Sequence, residues 1–122
     1  MENINSLIEQ YHELHKAVIE KRREIDYDMK NHLDELKKDN SLEGKLRAAQ
    51  FEEGINLNEK IFEDNSKILS EMREELHPML IEVGANSSNR KKVYLNNDNS
   101  SFIEAFIDDD NSLLVLGPIS VL

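Results

Sequence analysis

The sequence predicts a mainly α protein: a long antiparallel two-helix hairpin, coiled-coil-like, followed by a small C-terminal β meander. Three observations carry that reading. Two apolar stripes mirror each other about Asn40, a cluster of helix breakers separates them, and the apolar period changes from helical to strand-like after Gly84. The rising stripe holds Ile4, Tyr11, Val18, Ile25 and His32; the returning one holds Ala48, Ile55, Phe62, Leu69 and Leu76. Folding the chain at Asn40 faces Ile4 with Leu76, Tyr11 with Leu69, Val18 with Phe62 and Ile25 with Ile55.

The first helix is expected from about Asn3 to Lys38. Its apolar residues, among them Leu7, Leu14, Leu33 and Leu36, recur at spacings of three and four or their sum. Lys37 and Lys38 suit the negative end of the helix dipole. Asp39, Asn40 and Ser41 make the turn. Asn40 with Glu43 reads as a capping box, in which the Asn side chain accepts from an early backbone N–H and the Glu reaches back. The second helix is expected from about Leu42 to Leu76, with a kink or break at His77-Pro78 because a residue before proline is pushed out of the helical region. One more turn, Met79 to Val83, then ends at Gly84. The polar stretch Ala85 to Arg90 reads as a linker. Lys91–Leu95, Phe102–Ile107 and Leu113–Leu116 are short runs separated by Asn/Asp/Ser clusters, the pattern of a three-stranded meander. The domain reading is a helical hairpin over 1–84 and a β-rich tail over 85–122. The tail is too apolar to lie bare, so it packs on the hairpin, on a second copy or on a partner.

Fifteen Lys and Arg against 25 Asp and Glu leave a net charge of −10. Direct nucleic-acid binding along a phosphate backbone needs clustered positive charge and is not expected. The absence of cysteine removes disulfides, thiolate metal sites and cysteine nucleophiles. No membrane span of about 20 apolar residues is visible. The N-terminal MENINSLIEQ lacks a basic n-region followed by an apolar run. The expected location is the cytoplasm, or export without a cleaved signal peptide.

The mirror register places Arg22 opposite Asn58 and His15 opposite Asn65, two polar layers in the apolar seam. Such layers lower stability but penalise alternative registers. Ile8, Met29, Ile61 and Ile68 lie beside the seam. They are expected to meet a second copy in a four-helix bundle or to be covered by the β tail.

Motifs for chemistry are sparse. Glu9-x-x-His12 and Glu74-x-x-His77 have the spacing of di-iron bundle ligands, but both pairs are expected on the side away from the seam, and no further carboxylates join them. His12 and His15 lack a third zinc ligand. Asp108, Asp110 and Ser112 begin like a calcium loop, yet Leu113 and Ile119 stand where that loop needs glycine and glutamate, so a β-turn is expected. Asn86-Ser-Ser and Asn99-Ser-Ser read as loop composition. The expectation is a protein without catalytic residues, metal or cofactor.

The turn and the start of the second helix read Ser41-Leu42-Glu43-Gly44-Lys45-Leu46-Arg47-Ala48-Ala49-Gln50-Phe51. Leu42-x-Gly44 at a bend between two long helices, with Phe51 following within a few turns, resembles the WXG and LXG families of small helical hairpins handled by type VII secretion systems. The resemblance covers residues 1–83. It implies a helical hairpin that is a secretion partner, with Tyr94-x-x-x-Asp98 matching the families' Tyr-x-x-x-Asp/Glu export signal. The tail from Ala85 departs from small family members, and Tyr94 falls in a predicted strand.

The function expected from these features is a non-enzymatic protein–protein interaction module (adaptor, secretion partner, chaperone or inhibitor). It would bind a protein partner, itself or both through an apolar hairpin face. The alternative, from the charge, is an acidic decoy, antidote or phage-encoded inhibitor that blocks a basic site on a nucleic-acid-binding protein or toxin.

Overall fold

A computed structural model describes residues 3–95 and 100–120. The chain is mainly helical, with a small C-terminal sheet. In order it forms α1 (Ile4–Arg23), a π-helical stretch (Glu24–Met29), α2 (Lys30–Leu36), α3 (Leu42–Glu82), β1 (Lys91–Tyr94), β2 (Ser101–Ile107) and β3 (Leu113–Ser120). These elements fall into two compact units, one of Met1–Leu14 with Leu69–Leu122 and the other of His15–Ile68.

In the second unit Ile25, Leu33, Ala48 and Ile55 form a core, with Met29, Leu36, Phe51 and Phe62 packed against it. Ile25 and Ile55 therefore share a core, as the mirrored stripes predict. His32, the next seam position expected, is exposed and presents its ring edge to Phe51, with ring centroids 4.8 Å apart. Leu33 is buried in its place. The π-helical stretch accounts for the shift. The Lys30 N–H reaches back five residues to the Ile25 carbonyl. A π turn takes up an extra residue, so the side chain one position later faces the core.

The helix that follows is capped differently from the predicted Asn40–Glu43 box. Ser41 Oγ accepts the Gly44 N–H at 3.0 Å, and Asp39 Oδ1 accepts the Ser41 N–H at 2.9 Å. Ser41 is thus the N-cap, while Glu43 turns to Arg47 at 2.6 Å. The Asp39 side chain lies where a Cβ on Gly44 would stand, which explains a glycine so early in a helix. The Ser41 hydroxyl and N–H hold the Asp39 carboxyl below the usual carboxylate range.

The first unit gathers Leu7, Ile8 and Tyr11 of α1, Leu76 and Leu80 of α3, and Val93, Ile103, Phe106 and Leu113 of the sheet into one core. Ile4 and Leu69, predicted members of the same stripes, pack against it. The expected break at His77-Pro78 is absent: α3 runs through Pro78 and ends at Glu82. A proline inside a helix costs about 3 kcal/mol. Leu76 and Leu80, each fully buried on either side of it, return about 1.5–3 kcal/mol apiece, and the Pro78 ring faces out. Gly84, at φ 72, ends the last turn as expected.

Ala85 to Arg90 is a tight turn and not a loose linker. Asn86 and Asn89 exchange backbone hydrogen bonds at 3.1 Å, and the buried Ala85 accepts from the Ile107 N–H at 3.2 Å. The sheet is an antiparallel meander of order β1-β2-β3, pairing Val93 with Ile103 and Phe106 with Leu114. Ile103, Ala105 and Ile107 point into the core by strand alternation. The Arg90 guanidinium lies over the buried Phe106 ring, 4.3 Å from its centre, and Lys92 sits over Phe102 at 5.1 Å. β3 extends four residues past its predicted end at Leu116. It does so because Gly117, at φ 126, passes a register shift opposite Phe102 and Glu104 and resumes pairing at Ile119.

Candidate interaction surface

The outward side of α3 in the His15–Ile68 unit is the strongest candidate. Leu46, Leu57, Ile61 and Ile68 are 59, 65, 47 and 47% exposed. They sit opposite the face that carries Ala48 and Ile55. Beside Leu57 lies a shallow groove of about 320 Å³, lined also by Glu53, Asn56 and Lys60. Of these aliphatic residues the sequence reading picked out Ile61 and Ile68 and missed Leu46 and Leu57. The missed signal was available in the eleven-residue intervals from Leu46 to Leu57 to Ile68, which lie outside the seven-residue period of the seam.

The other candidate contacts are scattered. Ile8 is fully buried in the first unit's core, covered by the sheet. Met29 is half-buried against the Ile25 core. Leu42 projects from the first residue of α3 at 87% exposed, whereas Gly44 is buried. Tyr94 is exposed on β1 and tilts against Phe102, with centroids 5.6 Å apart. Asp98 lies outside the described residues.

The expected polar layers take another form. Arg22 meets Glu59, not Asn58, donating Nη1–H to Oε2 at 2.9 Å and Nη2–H to Oε1 at 3.0 Å. It also grips Asp26 at 2.7 and 3.1 Å and lies over the Phe62 ring at 4.8 Å. Asn58 instead accepts from Lys21 Nζ at 3.0 Å and donates to the Gly54 carbonyl at 2.8 Å. The displacement is one residue on each helix, which moves the guanidinium to the flank of the seam where carboxylates reach it. Hydrogen bonds from Arg22 hold the Glu59 and Asp26 carboxyls below their usual range. His15 and Asn65 are both half-buried.

In the first unit an open cleft of about 440 Å³ is walled by Arg73, Glu74 and His77 of α3 and by Asn111, Ser112 and Leu113. Arg73 donates to the Leu113 carbonyl at 2.9 Å, and His77 Nε2 lies 2.9 Å from the Asn111 carbonyl. These two side chains tie the β2–β3 turn to the helix. The turn is built on Asp108, whose Oδ1 accepts the Asp110 and Ser112 N–H groups at 3.0 and 2.9 Å. His12, expected on the outer side, is buried, because Ile8 and Tyr11 turn that side of α1 toward the sheet. Among the described residues no group of three metal-ligating side chains converges, and no helix is long and apolar enough to cross a membrane. The chain matches no family model, no curated protein and no solved structure.

Proposed function

We propose that this is a non-enzymatic protein–protein interaction module that works through an apolar helical face. On this reading the two helical stretches form an antiparallel hairpin. Its inner seam is satisfied by its own residues, and its outer α3 face is left for a partner. The supporting observation is the exposed aliphatic row of Leu46, Leu57, Ile61 and Ile68 on a chain that is one-third charged; covering such a row with a partner removes its apolar surface from water, which is favourable. Adaptor, chaperone, inhibitor and secretion-partner roles all use such a face. The type VII reading draws on Leu42, exposed at the turn, beside Gly44. Its setting is the cytoplasm, or export without a cleaved signal.

The test is a photo-cross-linking residue at position 57, in the organism that encodes the protein, with a control at the exposed Glu63. A discrete cross-linked protein at 57 and none at 63 supports the reading; no product at 57 removes it.

The charge favours a second reading, an acidic decoy or inhibitor of a basic site. Arg22, Lys30, Lys38, Arg47 and Arg90 each have a carboxylate within 4 Å, which leaves a large acidic excess on a chain of net charge −10. A partner held in this way is released by salt, whereas one held by the aliphatic row is not.

A further inference from the structure

The stretch after Ile25 fits its core in two frames, and each has its own support. In the structure the Lys30 N–H reaches the Ile25 carbonyl five residues back, which takes up one residue. Leu33 is buried as a result, and His32 is exposed. An uninterrupted α-helix brings other side chains to the seam: His32, seven residues after Ile25, and Leu36, seven residues after Met29. Leu36 has burial to gain from that change, because it is only half-buried at the edge of the Ile25 core. The imidazole is already at the border. Its edge meets the Phe51 ring, with centroids 4.8 Å apart, and Phe51 packs on the same core.

The two frames oppose terms of similar size. Passing from the π frame to the α frame exposes Leu33 and buries Leu36, so one leucine replaces another and the apolar area changes little. The α frame also buries an imidazole, which costs as any polar group does. Against that it restores regular hydrogen bonds in place of a rare π turn. We infer that Glu24–Leu36 is a register switch, in which the π frame with Leu33 inward interconverts with a minor α frame that has His32 and Leu36 inward. A minor state of this kind is populated at roughly 0.1–10%, and helix register shifts take microseconds to milliseconds. The Arg22–Glu59 pair holds the chain upstream of the π stretch, so the movement is taken up downstream. Changing frame turns residues 30–36 by about 100° and advances them by about 1.5 Å. One residue then passes into the turn that leads to the exposed Leu42. A ligand that grips this turn in one frame therefore biases the packing around Ile25. The switch goes beyond the interaction reading above and does not depend on it.

The test is NMR on the full chain. In the wild type, relaxation dispersion is expected on the amides of residues 24–36, and the Leu33 methyl groups show nuclear Overhauser contacts into the core of Ile25, Ala48 and Ile55. His32→Leu removes the polar cost of the α frame, so that frame becomes the main one. The Leu33 contacts fall away, the introduced side chain takes them up, and the Lys30 N–H moves from the Ile25 carbonyl to that of Asp26. The second variant deletes Asp28, an exposed residue of the π stretch. A deletion in a regular packed helix turns every later side chain away from its place. Here it takes out the extra residue, and a continuous α-helix carries Leu33 into the position it already fills. The expected product is folded, keeps the Leu33 contacts and shows no dispersion over the same stretch. A flat dispersion profile in the wild type, Leu33 contacts that survive His32→Leu, or unfolding on deletion of Asp28 overturns the inference.

Discussion

Arg22 and Glu59 form a two-pronged ion pair, with both guanidinium–carboxylate contacts between 2.9 and 3.0 Å. The pair joins residues 37 positions apart. Asp26 binds the same guanidinium, and Phe62 lies beneath it. A planar fork held by two carboxylates and a ring face is a geometry that lysine does not reproduce.

Its pH dependence follows from the direction of the shifts. Arg22 holds the Glu59 and Asp26 carboxyls low in the folded chain. Their ionised forms therefore contribute stability above the unfolded glutamate value of about 4.3, and that contribution is lost as pH falls through the lower folded values. The expected result is that Glu59→Gln lowers the thermal midpoint at neutral pH, with the difference from wild type shrinking steadily below about pH 4. Arg22→Lys should reproduce most of the neutral-pH loss. A gap that stays constant to strongly acid pH would show that the pair does not supply it.

Pro78→Ala should stabilise the protein. Alanine restores the N–H that proline lacks and relieves the ring's clash with the carbonyl four residues back. The substitution is at an exposed position inside α3. The gain should approach 1–3 kcal/mol on the helix-propensity scale, read as a higher urea midpoint at unchanged slope. A loss of stability would mean that the proline shapes α3 in a way the sheet depends on.

Gly117 and Gly84 both have positive φ, at 126° and 72°, but the consequences of adding a methyl differ. At Gly117 a Cβ would stand 3.0 Å from the Phe102 carbonyl oxygen, while at Gly84 it would meet nothing within 4 Å. Gly84→Ala should cost about 1–2 kcal/mol, the left-handed penalty alone. Gly117→Ala should cost more, with the 101–107 and 113–120 amides losing protection first in hydrogen exchange. Equal costs would place the Gly117 effect in conformation only.

Burial raises the Tyr11 phenol above its ordinary value, opposed in part by the positive charge of Arg73. A folded value above the unfolded one means that this contribution to stability is present below the unfolded value and is lost as pH rises through the folded one. Ultraviolet titration of the phenols should show a late, high-pH component that Tyr11→Phe removes and that coincides with alkaline loosening of the first unit's core.

Much of this architecture was legible in the order of residues because apolar period and breakers are local properties. The two helical stretches, a turn at Asp39–Ser41, the end at Gly84 and three strands in meander order all follow from spacing and turn chemistry, although the helix stops at Leu36, two residues before its expected end at Lys38. The candidate surface was legible in part. Ile61 and Ile68 stand out as misfits to the seven-residue seam, but Leu46 and Leu57 emerge only once the covered face is known.

What the sequence determined by itself was the type and order of the elements, since helix and strand periods are written into which residues are apolar. What only the tertiary structure decided was register. The π-helical stretch moved the core position from His32 to Leu33, the burial of Leu76 and Leu80 carried α3 through Pro78, and Arg22 chose Glu59 over Asn58. In each case a local preference worth at most a few kcal/mol competed with burial or pairing among residues far apart in the chain, and the long-range interaction prevailed.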